Sequence, residues 1–222
     1  MLKVSECQRI YPTVEEIEQA ILDLGSDHLP TFGGSFEGGI NSQQVSDELA
    51  PCIFDILESG EEINSYLEIG SASGGSCFII NRYFHPEKIV LIDDNIHPKA
   101  VLRPIVLNNI LRIELIGSSH DNTICEKIRE MNTSFDMLLI DGDHLYEGVR
   151  ADIEMYGPFL KEDGWLILHD SQLILHDSQV GYPWGCNKLF NELVVDSRWK
   201  LIKEYVSEKY SKCGIGLFRK VN

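Results

Sequence analysis

FDMLLIDGDHLYEG, residues 135–148, and GWLILHDS, residues 164–171, are two apolar runs that each stop at carboxylate and imidazole groups. A short apolar run that ends in turn and charged residues reads as a buried parallel strand, and the C-terminal ends of such strands open onto the ligand crevice of an α/β sheet. Two neighbouring strand ends would bring Asp141, Asp143, His144, His169 and Asp170 into one small volume. Burying that many ionisable groups without partners costs several kcal/mol, so a cation, a substrate or proton transfer is the expected reason for them.

Outward from this pair, strand-like runs occur at 65–70 (SYLEIG), 88–94 (KIVLIDD) and 112–119 (RIELIGSS), with helix-like stretches near 76–83, 97–109, 122–131 and 146–160. Strands alternating with helices mean βαβ units and a parallel sheet. Two further strand-like runs, WKLIKEYVSEKY (199–210) and GIGLFRK (214–220), follow a helix around 188–195 and read as a terminal antiparallel hairpin. The predicted fold class is α/β, a Rossmann-like, doubly wound and mostly parallel seven-stranded sheet with that C-terminal hairpin and N-terminal helices. Two helical patterns, 13–24 behind a Thr cap and 46–58, flank a glycine-rich stretch, FGGSFEGGINSQQ. They precede the first strand, so residues 1–60 read as a helical lid or oligomer segment and 61–222 as the main domain.

Composition narrows the classes. A formal charge of −16 repels phosphate backbones, which excludes nucleic acid as an expected partner. No apolar stretch approaches a membrane span, and MLKVSECQRIYP lacks a secretory apolar core. The six cysteines show no C-x-x-C pair and are expected to be reduced, which points to a cytoplasmic protein.

LEIGSASGGS, residues 67–76, is a strand, a tight turn and a helix start, where backbone N–H groups can hold a polar or anionic ligand group. The spacing is E-x-G-x-x-x-G rather than the G-x-G-x-x-G of dinucleotide binding, which argues against an NAD-dependent oxidoreductase. The next strand ends at Asp93 and Asp94, where a carboxylate can accept both hydroxyls of a ribose.

Through these residues, the chain from about residue 60 onward resembles the class I S-adenosylmethionine-dependent methyltransferases. The resemblance implies cofactor contacts from Glu68, Gly70, Ser71, Gly74 and Ser76 to the amino-acid half, from Asp93 to the ribose, and from Ser119 and His120 to the adenine. Ala72 departs from the pattern, standing where glycine is frequent. DGDHLYEG and LHDS are similar to segments of small metal-dependent O-methyltransferases of the catechol and macrocin types. That similarity implies Asp141 and Asp170 as ligands of a divalent cation, with His169 or Ser171 as a third and Asp141 also bordering the cofactor. Oxygen ligands suit Mg²⁺, and an imidazole makes Mn²⁺ competitive. His144 is the first choice for the base that deprotonates a hydroxyl, and Asp143 the second. The implied function is metal-dependent methyl transfer to a hydroxyl of a small molecule, a sugar, phenol or natural product, by a homo-oligomer. The alternatives are a methyltransferase-like binding module without turnover and a metal oxygenase using His144, His169 and Asp170.

The heptad LILHDSQ occurs twice in tandem, at 166–172 and 173–179, so His176 and Asp177 duplicate the dyad His169 and Asp170. One strand through both copies would be roughly 40 Å long at about 3.3 Å per residue, so one copy alone can end the sheet. The first copy directly follows KEDG and is the expected one.

Overall fold

In the computed structural model, the described residues are 11–25, 44–172, 185–209 and 213–221. Among them, seven strands form one sheet: β1 (Ser65–Ile69), β2 (Lys88–Asp93), β3 (Ile113–Ile116), β4 (Phe135–Ile140), β5 (Leu160–His169), β6 (Trp199–Tyr205) and β7 (Ile215–Lys220). The order is β3-β2-β1-β4-β5-β7-β6, parallel from β3 through β5, with β7 antiparallel to both β5 and β6. The predicted doubly wound sheet and terminal hairpin are both present. Chain direction across the sheet reverses between β1 and β4, and the ligand crevice of an open parallel sheet lies at such a switch.

Both faces are covered, and the alternation of side chains along each strand explains how. Tyr66, Leu91, Met137, Ile167 and Leu217 face α1 (Val14–Asp23), α2 (Ser46–Glu58) and α3 (Gly75–Phe84). Leu67, Val90, Leu138, Leu166 and Phe218 face α5 (Asn122–Glu130), α6 (Tyr146–Tyr156) and α7 (Cys186–Val195). Central strands buried on both faces are apolar almost throughout, which is why these runs were readable as parallel strands. The two N-terminal helices pack onto this sheet. Ile17, Ile21, Leu49, Ile53 and Ile56 are fully buried in the same cluster as the sheet, so α1 and α2 form part of one covering layer. Thr13 starts α1 with a reciprocal capping box to Glu16.

Three boundaries differ from expectation for local reasons. The 97–109 stretch forms a 3₁₀ turn at Pro98–Leu102 and a single-turn α4 at Arg103–Val106, each with a proline near its start. Helix α6 ends at Tyr156, where Gly157 and Pro158 tighten into a 3₁₀ turn. Strand β5 starts at Leu160 rather than after Gly164, and KEDG lies inside it as an irregularity with Asp163 at φ +57°. The first heptad therefore ends β5, as expected; the second, with His176 and Asp177, lies outside the described residues.

Glu48 of α2 ties the N-terminal layer to the hairpin. Its carboxylate is fully buried and accepts the Ser207 N–H at 2.8 Å and the Gly214 N–H at 2.9 Å. Glu48→Ala would strand two buried donors and is expected to lower the unfolding free energy by about 2 to 4 kcal/mol, with Glu48→Gln costing less because the amide keeps an acceptor. Urea unfolding measures this; an alanine variant with the wild-type midpoint would remove Glu48 as the tie.

Candidate active site

The turn after β1 is built against the end of β4. Gly70 has φ +82°, and a Cβ there would overlap the Asp141 carbonyl, so the two backbones can meet only at glycine. Ala72 takes φ +38° and Gly74 φ +83°, so the turn keeps its left-handed course through the alanine. Two groups hold Ala72 in that costly conformation: its N–H donates to Asp93 Oδ2 at 2.8 Å, and its carbonyl accepts from Arg103 Nε at 2.8 Å. Ser71 is buried, and its hydroxyl has no hydrogen-bond partner among the described residues.

Beneath the turn, Glu68 is fully buried and accepts from Tyr66 Oη at 2.7 Å and Ser76 Oγ at 2.6 Å. Burial pushes its carboxyl up to about 7 against those two donors. Glu68 thus braces the turn and the start of α3 from below. Asp93, at the end of β2, accepts from the Ala72 and Asn95 N–H groups and pairs with Arg103 Nη2 at 2.7 Å. Arg103, itself buried, was not singled out in the sequence; it sits in a stretch that reads only as helix, ten residues from its partner. Ser119 and His120 follow β3, where the Ser119 carbonyl accepts from Tyr156 Oη at 2.6 Å.

The parallel register of β4 with β5, Ile140 opposite Leu168, sets Asp141 beside His169 and Asp170. His169 Nδ1 lies 2.8 Å from Asp141 Oδ1 and 3.4 Å from Asp170 Oδ1. His144 bridges the same acids from the outer side, Nε2 at 3.4 Å from Asp141 Oδ1 and Nδ1 at 3.1 Å from Asp170 Oδ2. Asp141, His144 and Asp170 each offer a ligand atom within 4.8 Å of the others, so a divalent cation could be held by the two acids with or without the imidazole. His169 is 5% exposed and has no aligned hydrogen bond to either ring nitrogen among the described residues, so its contact with the acids is electrostatic.

Burial opposes charge on His169, yet Asp141 and Asp170 outweigh it and hold the imidazolium up to about 10. His144 is raised in the same way, burial being overcome by Asp141 and Asp170. Asp141, despite its own burial, is held well below the usual carboxylate range by His169 and His144. Asp143 turns away: its Oδ1 accepts the Leu145 N–H at 2.9 Å, and its carboxylate packs against Gly148 in the first turn of α6. Ser171 is likewise engaged elsewhere, donating to Glu204 at 2.7 Å. Gln44, which sequence reading passed over, donates its side-chain amide to Asp141 Oδ2 at 2.7 Å. No local pattern marks it, because its partner is 97 positions away.

Residues 67–171 match the family described as a methyltransferase domain. That segment runs from the first residues of the Glu68 turn to the end of the acid and imidazole cluster. An uncharacterized protein of Acanthamoeba polyphaga mimivirus is 27% identical over 111 residues, 46% of this chain and 49% of that protein, so the match spans about half of that relative. Among solved structures, the fold is similar to an O-methyltransferase from Bacillus cereus in complex with SAH, with TM-score 0.62 and 16% identity over 96% of this chain and 93% of that one. It is also similar to MycE methyltransferase of the mycinamycin biosynthetic pathway in complex with Mg and SAH, with TM-score 0.59 and 17% identity over 97% of this chain and 56% of that one. No helix among the described residues is long and apolar enough to cross a membrane.

Replacing Arg103 by alanine would leave Asp93 buried beside an empty space. Unfolding free energy is expected to fall by about 3 to 5 kcal/mol, as for one lost partner of a buried pair. Chemical denaturation reads this, and a loss under about 1 kcal/mol would show that Asp93 does not depend on Arg103.

Proposed function

We propose that the protein transfers a methyl group from S-adenosylmethionine to a hydroxyl of a small molecule, a sugar, phenol or natural product, with Mg²⁺ or Mn²⁺ at Asp141 and Asp170, in the cytoplasm. The observation that carries this reading is the meeting of the two acids and His144 directly beside the glycine turn, held there by the Gly70 and Asp141 contact. The similar fold of O-methyltransferases, one of them bound to Mg, supports the acceptor class and the cation. The turn fits the cofactor: Gly70 and Gly74 open its backbone, the Ser71 hydroxyl is buried without a partner, and Asp93 ends the next strand. The five cysteines among the described residues are free and buried, as a reducing compartment allows.

S-adenosylmethionine supplies the methyl group as a sulfonium with a good leaving group, and a divalent cation supplies positive charge that stabilises an oxyanion. The residues of the chain do the rest. Asp141 and Asp170 would hold the cation; Gln44 fixes Asp141 Oδ2 and leaves Oδ1 on the crevice side with the imidazoles. His144, the more exposed of the two imidazoles, takes the acceptor's proton. The chain's part in the transfer would be to hold the acceptor oxygen in line with the methyl carbon, so that the new carbon–oxygen bond could form as the carbon–sulfur bond breaks and its electron pair stays on sulfur. Most of the rate comes from holding oxygen and methyl carbon in line.

The test combines two readouts. Mn²⁺ binding, followed by electron paramagnetic resonance, is expected to be lost in Asp170→Asn and retained in Asp177→Asn. In His144→Gln it should persist while S-adenosylhomocysteine formation, with a panel of catechol, phenol and sugar acceptors, falls by about 10² or more. Undiminished Mn²⁺ binding in Asp170→Asn would sink the cation site, and loss of Mn²⁺ in His144→Gln would make His144 a ligand rather than the base.

A further inference from the structure

Helix α6 carries a carboxylate that the chemistry above does not use. Asp152 is fully buried, and neither of its oxygens has an aligned hydrogen bond among the described residues. Keeping a carboxylate in that state costs stability, so what it faces matters. It faces the turn after β3. His120 Nε2 lies 3.3 Å from Asp152 Oδ1 and 3.1 Å from the Gly148 carbonyl oxygen. The Ser119 hydroxyl is on the same side, and Asp143 is the nearby like charge. One turn further along α6, Tyr156 holds the Ser119 carbonyl.

Two acceptors on one ring nitrogen decide the chemistry of the ring. A carboxylate and a carbonyl can only accept, so Nε2 carries a hydrogen, and in the neutral imidazole the lone pair is then on Nδ1. We propose that Asp152 is a positioning residue that, with the Gly148 carbonyl, holds His120 as the Nε2–H tautomer so that Nδ1 accepts a hydrogen bond from the exocyclic amine of the cofactor's adenine. This rests on the reading of the Ser119 and His120 turn as the adenine wall of a methyltransferase. Adenine presents a donor at that edge, whereas hypoxanthine presents an oxygen acceptor there. An acceptor nitrogen favours the first and repels the second. Asn in place of Asp152 keeps the shape but removes the charge that favours Nε2–H, which leaves the Gly148 carbonyl alone to hold the tautomer.

Calorimetric dissociation constants for S-adenosylhomocysteine and S-inosylhomocysteine test this in wild type, Asp152→Asn and His120→Ala. The wild type is expected to prefer the adenosyl compound by about tenfold or more, the worth of one such hydrogen bond. The ratio should fall toward one in His120→Ala and part of the way toward one in Asp152→Asn. Burial holds the Asp152 carboxyl up at about 6 despite Ser119 and His120, so its charge opposes folding at pH 7.5, and Asp152→Asn should keep or raise the thermal midpoint there. His120 lies at the surface, so its variant reports even if the Asp152 variant misfolds. A wild-type ratio near one, or an undiminished ratio in either folded variant, overturns the inference while leaving methyl transfer standing. A wild type that binds neither compound overturns the methyl-transfer reading itself.

Discussion

The contact between Gly70 and the Asp141 carbonyl is the constraint on which the site depends. It lies at the reversal between β1 and β4, where two strand ends that are parallel neighbours in the sheet send their loops apart. Any side chain at Gly70 would push β4's end away, and with it the acids and imidazoles of the cluster. Because the strands on either side are buried on both faces, the sheet cannot shift to absorb such a change without opening the core. The glycine turn and the acid and imidazole cluster are therefore adjacent by backbone packing and not by side-chain choice. Gln44 and Glu48 add a second requirement. The N-terminal layer must be in place for Asp141 to be held and for the hairpin end to be tied.

Charge balance at the cluster follows from that packing. Asp141 and Asp170 sit close enough to repel, and two imidazoles stand against them. Both imidazoles are held above their ordinary range by these carboxylates in spite of burial. The His169 imidazolium thus supplies positive charge beside the acids. A cation entering between the acids would meet that like charge, and the ring must give up its proton to admit it.

How far the sequence could be read depended on the range of each interaction. The parallel strands were legible because burial on both faces leaves apolar runs, and their ends were legible because Asp141, His169 and Asp170 interrupt those runs abruptly. The start of α1 was legible because Thr13 and Glu16 cap it within one turn. Prolines 98 and 104 broke a stretch whose apolar spacing looked continuously helical, and the early start of β5 came from pairing with Phe135, a tertiary effect. Arg103, Gln44 and Asp152 escaped for one reason. Each acts on a partner brought close by the sheet and not by sequence, so nothing near it in the chain marks it. Glu68 was found but its geometry was not: the motif suggested a cofactor contact, while its carboxylate is bound to Tyr66 and Ser76 beneath the turn.

The most direct measurement of the central claim is calorimetric titration of Mn²⁺ into the protein at pH 7 in two buffers of different ionisation enthalpy. If the imidazoles balance the acids until a cation arrives, binding releases about one proton, seen as a buffer-dependent heat. Saturable binding with the same heat in both buffers, or no binding at all, would contradict the account.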